Sequence, residues 1–302
     1  MGNFMARRIL PLVVVTALAG GAAFWVITRP APVEEAPLVA ITGDPVAGEL
    51  VFHAAGCASC HAAEGATGDD KLILSGGRAF VSPFGTFHAP NISPDPQQGI
   101  GGWSLTDFAN AIQRGIGPGR ENLYPALPYT SYVHMRPQDV ADLHAYMLTL
   151  PPSSAPNLPH DIDFPFSQRW LIGGWKVLFF DRDWVVTGSL TAAEERGRYL
   201  VEALGHCGEC HTPRGDMGQM QRGAWLSGGP DPANPNRRIP NITPAKLTWS
   251  VEEIADYLES GFTPDFDIAG GEMAQVVEEM ARLPASDRLA IAAYLKKVPP
   301  IE

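Results

Sequence analysis

The four cysteines of the chain fall in two matching runs, Cys57-Ala58-Ser59-Cys60-His61 and Cys207-Gly208-Glu209-Cys210-His211. Each run is C-x-x-C followed directly by His, which is the attachment signature for c-type haem. The spacing has a physical reason. Residues i, i+3 and i+4 share one face of a helical turn. Two thiols can then meet the two vinyl groups of one porphyrin while the His nitrogen meets its iron. Two covalently bound haem c groups are expected, one on Cys57 and Cys60 with His61 as axial ligand, the other on Cys207 and Cys210 with His211. Competing readings explain less. A disulfide framework would suit an exported chain, but it gives no reason for the His after each pair. A four-cysteine zinc site can use two C-x-x-C pairs, but those pairs lie far closer than the 150 residues separating Cys57 from Cys207. A thioredoxin-like motif requires a βαβ setting, which is absent.

Working outward from these runs, the surrounding sequence repeats. Gly48-Glu49-Leu50-Val51 corresponds to Gly197-Arg198-Tyr199-Leu200, and Leu74-Ser75-Gly76-Gly77 to Leu226-Ser227-Gly228-Gly229. Pro90-Asn91-Ile92-Ser93-Pro94 corresponds to Pro240-Asn241-Ile242-Thr243-Pro244, again 150 residues on. Trp103-Ser104 and Trp249-Ser250 each open a helix-like stretch. Asp139 to Tyr146 parallels Asp287 to Tyr294, and a double proline follows each, Pro151-Pro152 and Pro299-Pro300. The pattern is a duplicated domain; solenoid periods are much shorter.

Each unit reads as mostly helical. Ser104 caps a helix with Phe108, Ala111 and Ile112 on one face, and Ser250 with Glu253 forms a capping box for Val251 to Ser260. Gly115 and Gly261 end these helices. The last helix begins near Ser286, with Leu289, Ala293 and Tyr294 as a core stripe. Between the units, Ser153 to Gly188 contains Phe164-Pro165-Phe166 and the apolar run Trp170 to Phe180, read as a bridging arm.

A His/Met pair is common on the iron of c-type centres, and Met raises the potential. In the second unit Met273, after Gly270-Gly271-Glu272, is the expected sixth ligand, with Met280 read as packing. The first unit offers Met135 and Met147, and Met147 falls on the terminal helix. Met135 is the expected ligand, with His134 or an open five-coordinate iron as alternatives.

The N-terminus carries Arg7 and Arg8, and Ile9 to Thr28 then runs without a charge. At about 1.5 Å per residue that run is roughly 30 Å, the thickness of a bilayer core. The basic flank would hold the N-terminus in the cytoplasm. A transmembrane helix over 1–29 is therefore expected, followed by a Pro- and Ala-rich tether over 30–42. Ala17-Leu18-Ala19 leaves a cleaved signal peptide as the other reading. The expected location is the inner membrane, single-pass, with the haem domains on the periplasmic side. Lys+Arg 22 against Asp+Glu 33 gives a net charge of −11 with no basic cluster, which argues against nucleic acid and for a basic partner. Gly 31 and Pro 28 indicate long irregular loops between the helices. No Gly-rich phosphate loop, catalytic triad or paired-carboxylate site is present.

From Gly43 to Ile301 the chain resembles the cytochrome c subunits of bacterial membrane-bound periplasmic alcohol, gluconate and aldehyde dehydrogenases. The resemblance lies in Pro90 to Asp95 with Gly99-Ile100-Gly101-Gly102-Trp103-Ser104, and in Leu123-Tyr124-Pro125-Ala126-Leu127-Pro128-Tyr129. It extends to the Phe164 to Phe180 arm and Gly205 to Gly215. It implies an all-α protein of two tandem cytochrome c domains, 43–152 and 189–302, joined by a linker arm over 153–188. It also implies an electron carrier that accepts electrons from a dehydrogenase catalytic subunit and passes them to a soluble cytochrome, an oxidase or quinone. Two departures stand out. Those subunits usually carry three haems, and many have Met where Leu127 stands. A haem enzyme, of thiosulfate-dehydrogenase or peroxidase type, and a dihaem subunit of a terminal oxidase are the alternatives.

Overall fold

The computed structural model describes residues 2–231, 234 and 236–302, except for the side chains of 2–10, 12 and 39. The chain opens with helix α1 (Gly2–Thr28) and a short α2 (Ala36–Val39). The first half follows with α3 (Pro45–Ala54), α4 (Cys57–His61), the hairpin β1 (Ala79–Ser82) and β2 (Gly85–His88), α5 (Leu105–Arg114), α6 (Tyr129–Tyr132) and α7 (Pro137–Met147). The arm contributes β3 (Asp161–Ile162) and α8 (Trp170–Phe179). The second half contains α9 (Ala192–Arg198) with a π-helical continuation over Tyr199–Leu204, and α10 (Gly208–His211). It continues through β4 (Gly229–Pro230), β5 (Arg238–Ile239), α11 (Val251–Ser260), α12 (Glu272–Met280) and α13 (Ala285–Lys297).

In each half the first and last helices cross: α3 packs on α7, and α9 on α13. A glycine makes each crossing possible. A Cβ on Gly48 would collide with the Asp142 carbonyl oxygen, and one on Gly197 with that of Ala290. These are corresponding glycines of the repeat, meeting corresponding turns of the partner helices. The contact seats Phe52 and Tyr294, both 0 % exposed, and burying a ring of that size contributes about 2 kcal/mol. One hydrophobic cluster runs through both halves, from Phe52, Val140 and Met147 to Leu200, Ile254 and Leu295.

The caps agree with the sequence. Ser104 and Asp107 form a reciprocal capping box on α5, as Ser250 and Glu253 do on α11. Gly115 (φ 58) and Gly261 (φ 77) end those helices in the left-handed conformation. The fold is mainly α rather than all-α. The arm strand β3 adds to the β1–β2 hairpin in an antiparallel three-stranded sheet, and β4 and β5 form a second, smaller sheet.

The expected membrane anchor is not upheld. Among the described residues no helix is long and apolar enough to cross a membrane, which overturns the single-pass inner-membrane placement. Pro11 interrupts the donor ladder inside α1, and Gly20 and Gly21 weaken it further. Helix α1 ends at Thr28, against the arm helix α8. Its end packs on protein instead: Phe24 meets Trp170 of α8 edge-on at 5.9 Å, and Gly173 lies against the Thr28 carbonyl. Arg7 and Arg8, the expected cytoplasmic flank, have side chains outside the described residues.

Candidate functional site

The two C-x-x-C-H runs each form a single helical turn. In the first, Gly56 (φ 59) reverses the chain into α4, which carries Cys57, Cys60 and His61. In the second, His206 (φ 38) takes the corresponding left-handed position, and Cys207 opens α10. No disulfide joins any of the four cysteines.

Each histidine is held in one tautomer. His61 Nδ1 lies 2.8 Å from the Pro90 carbonyl oxygen, and His211 Nδ1 lies 2.9 Å from that of Pro240. A carbonyl oxygen only accepts, so Nδ1 carries the proton and Nε2 keeps its lone pair, the form a metal requires. Burial lowers the pKa of both rings, which favours the same neutral form. The repeated Pro-Asn-Ile loop is what presents these carbonyls. Asn91 donates to the carbonyls of Ser153 (2.8 Å) and Ala155 (2.9 Å), and its Oδ1 accepts from Ser93 N at 2.9 Å. Asn241 donates to the Ile301 carbonyl at 2.7 Å, and its Oδ1 accepts from Thr243 N at 2.8 Å. The repeated Leu-Ser-Gly-Gly run completes the arrangement. Gly76 N donates to His61 O at 2.8 Å and Gly228 N to His211 O at 2.7 Å. Sequence comparison of the two halves finds these repeats but not their task, because the bonds join residues 29 apart.

The two turns face one interface between the halves. Across it, the His206 ring of the second half meets Tyr132 of the first edge-on at 5.5 Å, and its Nε2 lies 3.3 Å from the Ala55 carbonyl oxygen. Arg78 of the first half donates to the Ser59 carbonyl, inside the first turn, and reaches across to Gln275 (3.0 Å) and both oxygens of Glu272 (2.7 and 2.8 Å). In the opposite direction, Thr130 donates to Glu209 Oε1, inside the second turn, at 2.8 Å. Arg214 pairs with the Glu209 carboxylate and donates to its carbonyl at 2.7 Å. Burial would raise Glu209, but Arg214 and Thr130 outweigh it and hold the carboxyl below its ordinary value.

The expected sulfur ligands occupy different settings. Met273 lies in the first turn of α12, partly buried, beside the Glu272–Arg78 pair. Met280, expected as packing on a helix, ends α12, and Met273, Val276, Val277 and Met280 show its 3–4 spacing. Met135 is 3 % exposed, inside the core, just after Tyr132 and before α7. Tyr132 donates to the Ala55 carbonyl at 3.1 Å, next to the first turn. His134, the other donor in that stretch, stacks on Trp184 at 4.1 Å, and burial and Arg222 lower its pKa to about 4. Met147 and Met280 are core residues, 2 % and 6 % exposed.

Paired cysteines on one turn, with a neutral imidazole whose Nε2 is left over, fit covalently held haem in both halves. The cytochrome c family profile matches residues 45–151. A dihaem c-type cytochrome of Cereibacter sphaeroides is 54 % identical over 298 residues, 99 % of this chain and 100 % of that one. The chain belongs to the dihaem c-type cytochromes. Its cofactors are two covalently bound haem c groups, and its function is electron transfer. This cytochrome is also similar to a nicotinate dehydrogenase subunit from Pseudomonas putida, 38 % identical over 83 % of this chain and 21 % of that protein. The cytochrome subunit of fructose dehydrogenase from Gluconobacter japonicus is 37 % identical, over 90 % of this chain and 56 % of that protein.

Proposed function

We propose that this cytochrome receives electrons from the catalytic subunit of a dehydrogenase and passes them to a respiratory acceptor in the periplasm: a soluble cytochrome, an oxidase or quinone. The observation that carries this reading is the shared interface, where two attachment turns with locked histidines lie side by side. The dehydrogenase relatives support the donor class. In this reading residues 43–152 and 189–302 are the two haem domains and 153–188 the arm between them. Cys57 and Cys60 hold one group and Cys207 and Cys210 the other, with His61 and His211 as fifth ligands and Met135 and Met273 as sixth. Bound haem c supplies one-electron redox chemistry at each iron. The chain sets the conditions. Pro90 and Pro240 orient the imidazoles, and Arg78 and Arg214 brace the turn carbonyls.

Purification of the tagged protein tests the donor. A stoichiometric dehydrogenase catalytic subunit is expected to accompany it, and recovery with an oxidase alone would refute that donor. Cys210→Ala is expected to weaken or abolish covalent attachment of the second haem, and a normal two-haem stain would count against that assignment. Met273→His is expected to keep both haems but lower one potential. A redox titration with both potentials unchanged would remove Met273 from the ligand set.

A further inference from the structure

The loop after α5 and the loop after α11 have the same backbone and opposite chemistry. In the first half Gly117 N donates to Glu121 O (2.9 Å), Arg120 N to Gly117 O (2.9 Å) and Leu123 N to Gly115 O (2.7 Å). In the second, Thr263 N donates to Asp267 O (2.9 Å), Phe266 N to Thr263 O (3.0 Å) and Ala269 N to Gly261 O (2.8 Å). The bridges match, Ile116 with Asn122 and Phe262 with Ile268. So do the left-handed tips, Arg120 at φ 64 and Phe266 at φ 63.

The base of the first loop, at Ile116 and Asn122, is covered by the arm, while its tip over 118–121 is exposed. Lys176 of α8 donates to the carbonyls of Arg114 (2.7 Å) and Gly115 (2.8 Å) and to Asn122 Oδ1 (2.9 Å), and Arg169 donates to Asn122 O at 3.1 Å. Beneath them Ile116 is 2 % exposed. The second loop has no such cover among the described residues. Phe262 is 59 %, Phe266 94 % and Ile268 65 % exposed. Three large apolar side chains at one loop tip form a patch of the kind that marks a contact site.

Charge defines what fits there. The exposed carboxylates Asp265 and Asp267 lie in the same loop as the patch. The C-terminal end of α11 carries no basic residue in its last turn, whereas α5 has Arg114 there. A helix C-terminus favours a donor or cation, and in the first half Lys176 donates to the last carbonyls. We infer that residues 261–269 form the docking surface for a redox partner protein whose own contact patch is apolar and rimmed with lysine or arginine. The partner does for the second loop what the arm does for the first. Small apolar contacts with a charged rim suit transient electron-transfer encounters, steered by complementary charge. The inference rests on the electron-transfer reading above. In each encounter one electron leaves a ferrous haem of this chain and reduces a ferric haem of the partner; no atom is transferred.

Stopped-flow mixing of the reduced full-length holoprotein with a lysine-rich soluble cytochrome c tests this. Wild type is expected to react with a second-order rate that falls as salt rises. Phe266→Asn keeps a residue tolerant of φ > 0, and Asp265→Asn with Asp267→Asn removes charge only. Each is expected to lower the rate about tenfold, with spectra and both haem potentials unchanged. Arg120→Asn, at the matching tip of the first loop, is expected to have no effect. Wild-type rates in the loop variants would overturn the surface. So would a shifted haem potential, which would place the patch against haem. Loss of self-association in Phe266→Asn would also overturn it, making a second copy the occupant. A wild type that reduces ferricyanide but not the cytochrome overturns the docking surface alone. One that exchanges electrons with neither defeats the electron-transfer reading beneath it.

Discussion

Gly48 and Gly197 show how much one missing carbon decides. Each sits where a helix meets the carbonyl of another, and a methyl group there would overlap backbone. Gly48→Ala and Gly197→Ala are each expected to destabilise the protein by about 1–3 kcal/mol, the usual cost of overpacking. Gly223, with open space where a Cβ would go, is the control, and urea melts of the three variants make the comparison. At this scale the cysteines and histidines were legible because the attachment chemistry needs them on one turn. The carbonyls of Pro90 and Pro240 were not. A backbone oxygen has no residue identity, and its role appears only when the loop is folded beside the ring. His206 was equally hidden, since a positive φ at a non-glycine residue leaves no mark in sequence.

Among elements, the capped helices α5 and α11 were legible because Ser, Asp or Glu, and Gly occupy positions set by local hydrogen bonding. The start of helix α12 was obscured by the glycines before it, and β3 is too short to show alternation, being a strand only through its partner β2. Helix α1 shows the limit of hydropathy, because an uncharged run says nothing of the Trp170 face that its end meets. Lys176 is the chemical centre of the arm helix. Burial lowers its pKa to about 7, while an unfolded lysine titrates near 10.4. Between those values the unfolded chain binds more protons, so this group makes stability rise with pH. Its contribution is fully present above the unfolded value and lost as pH falls through about 7. Lys176→Met is expected to flatten that rise, by on the order of 1 kcal/mol given its partial exposure. Denaturation midpoints from pH 6 to 10 would show it, and parallel profiles for the two proteins would refute it.

For the whole molecule the decisive contacts join distant parts of the chain. His53 and Glu279 are 226 residues apart, yet their side chains meet at 2.6 Å with both residues buried, 6 % and 5 % exposed. Lys71 and Glu278 add an outer pair at 2.5 Å. Removing one partner of a buried pair leaves the other without its bond, so Glu279→Leu is expected to cost about 3 kcal/mol. The double variant His53→Leu, Glu279→Leu should recover much of that. A denaturation cycle over the single and double variants measures the coupling, and additive losses would show that the pair does not bind the halves together. No such pairing could be read in advance, because nothing local to either residue names the other.

The crossings of α3 on α7 and of α9 on α13 also have a topological consequence. Each half brings its chain back to where it started, like a closed circuit with both leads at one terminal. Polypeptide added ahead of such a circuit, or beyond it, leaves the wiring inside untouched. The same wiring can therefore sit inside a longer polypeptide as a plug-in component.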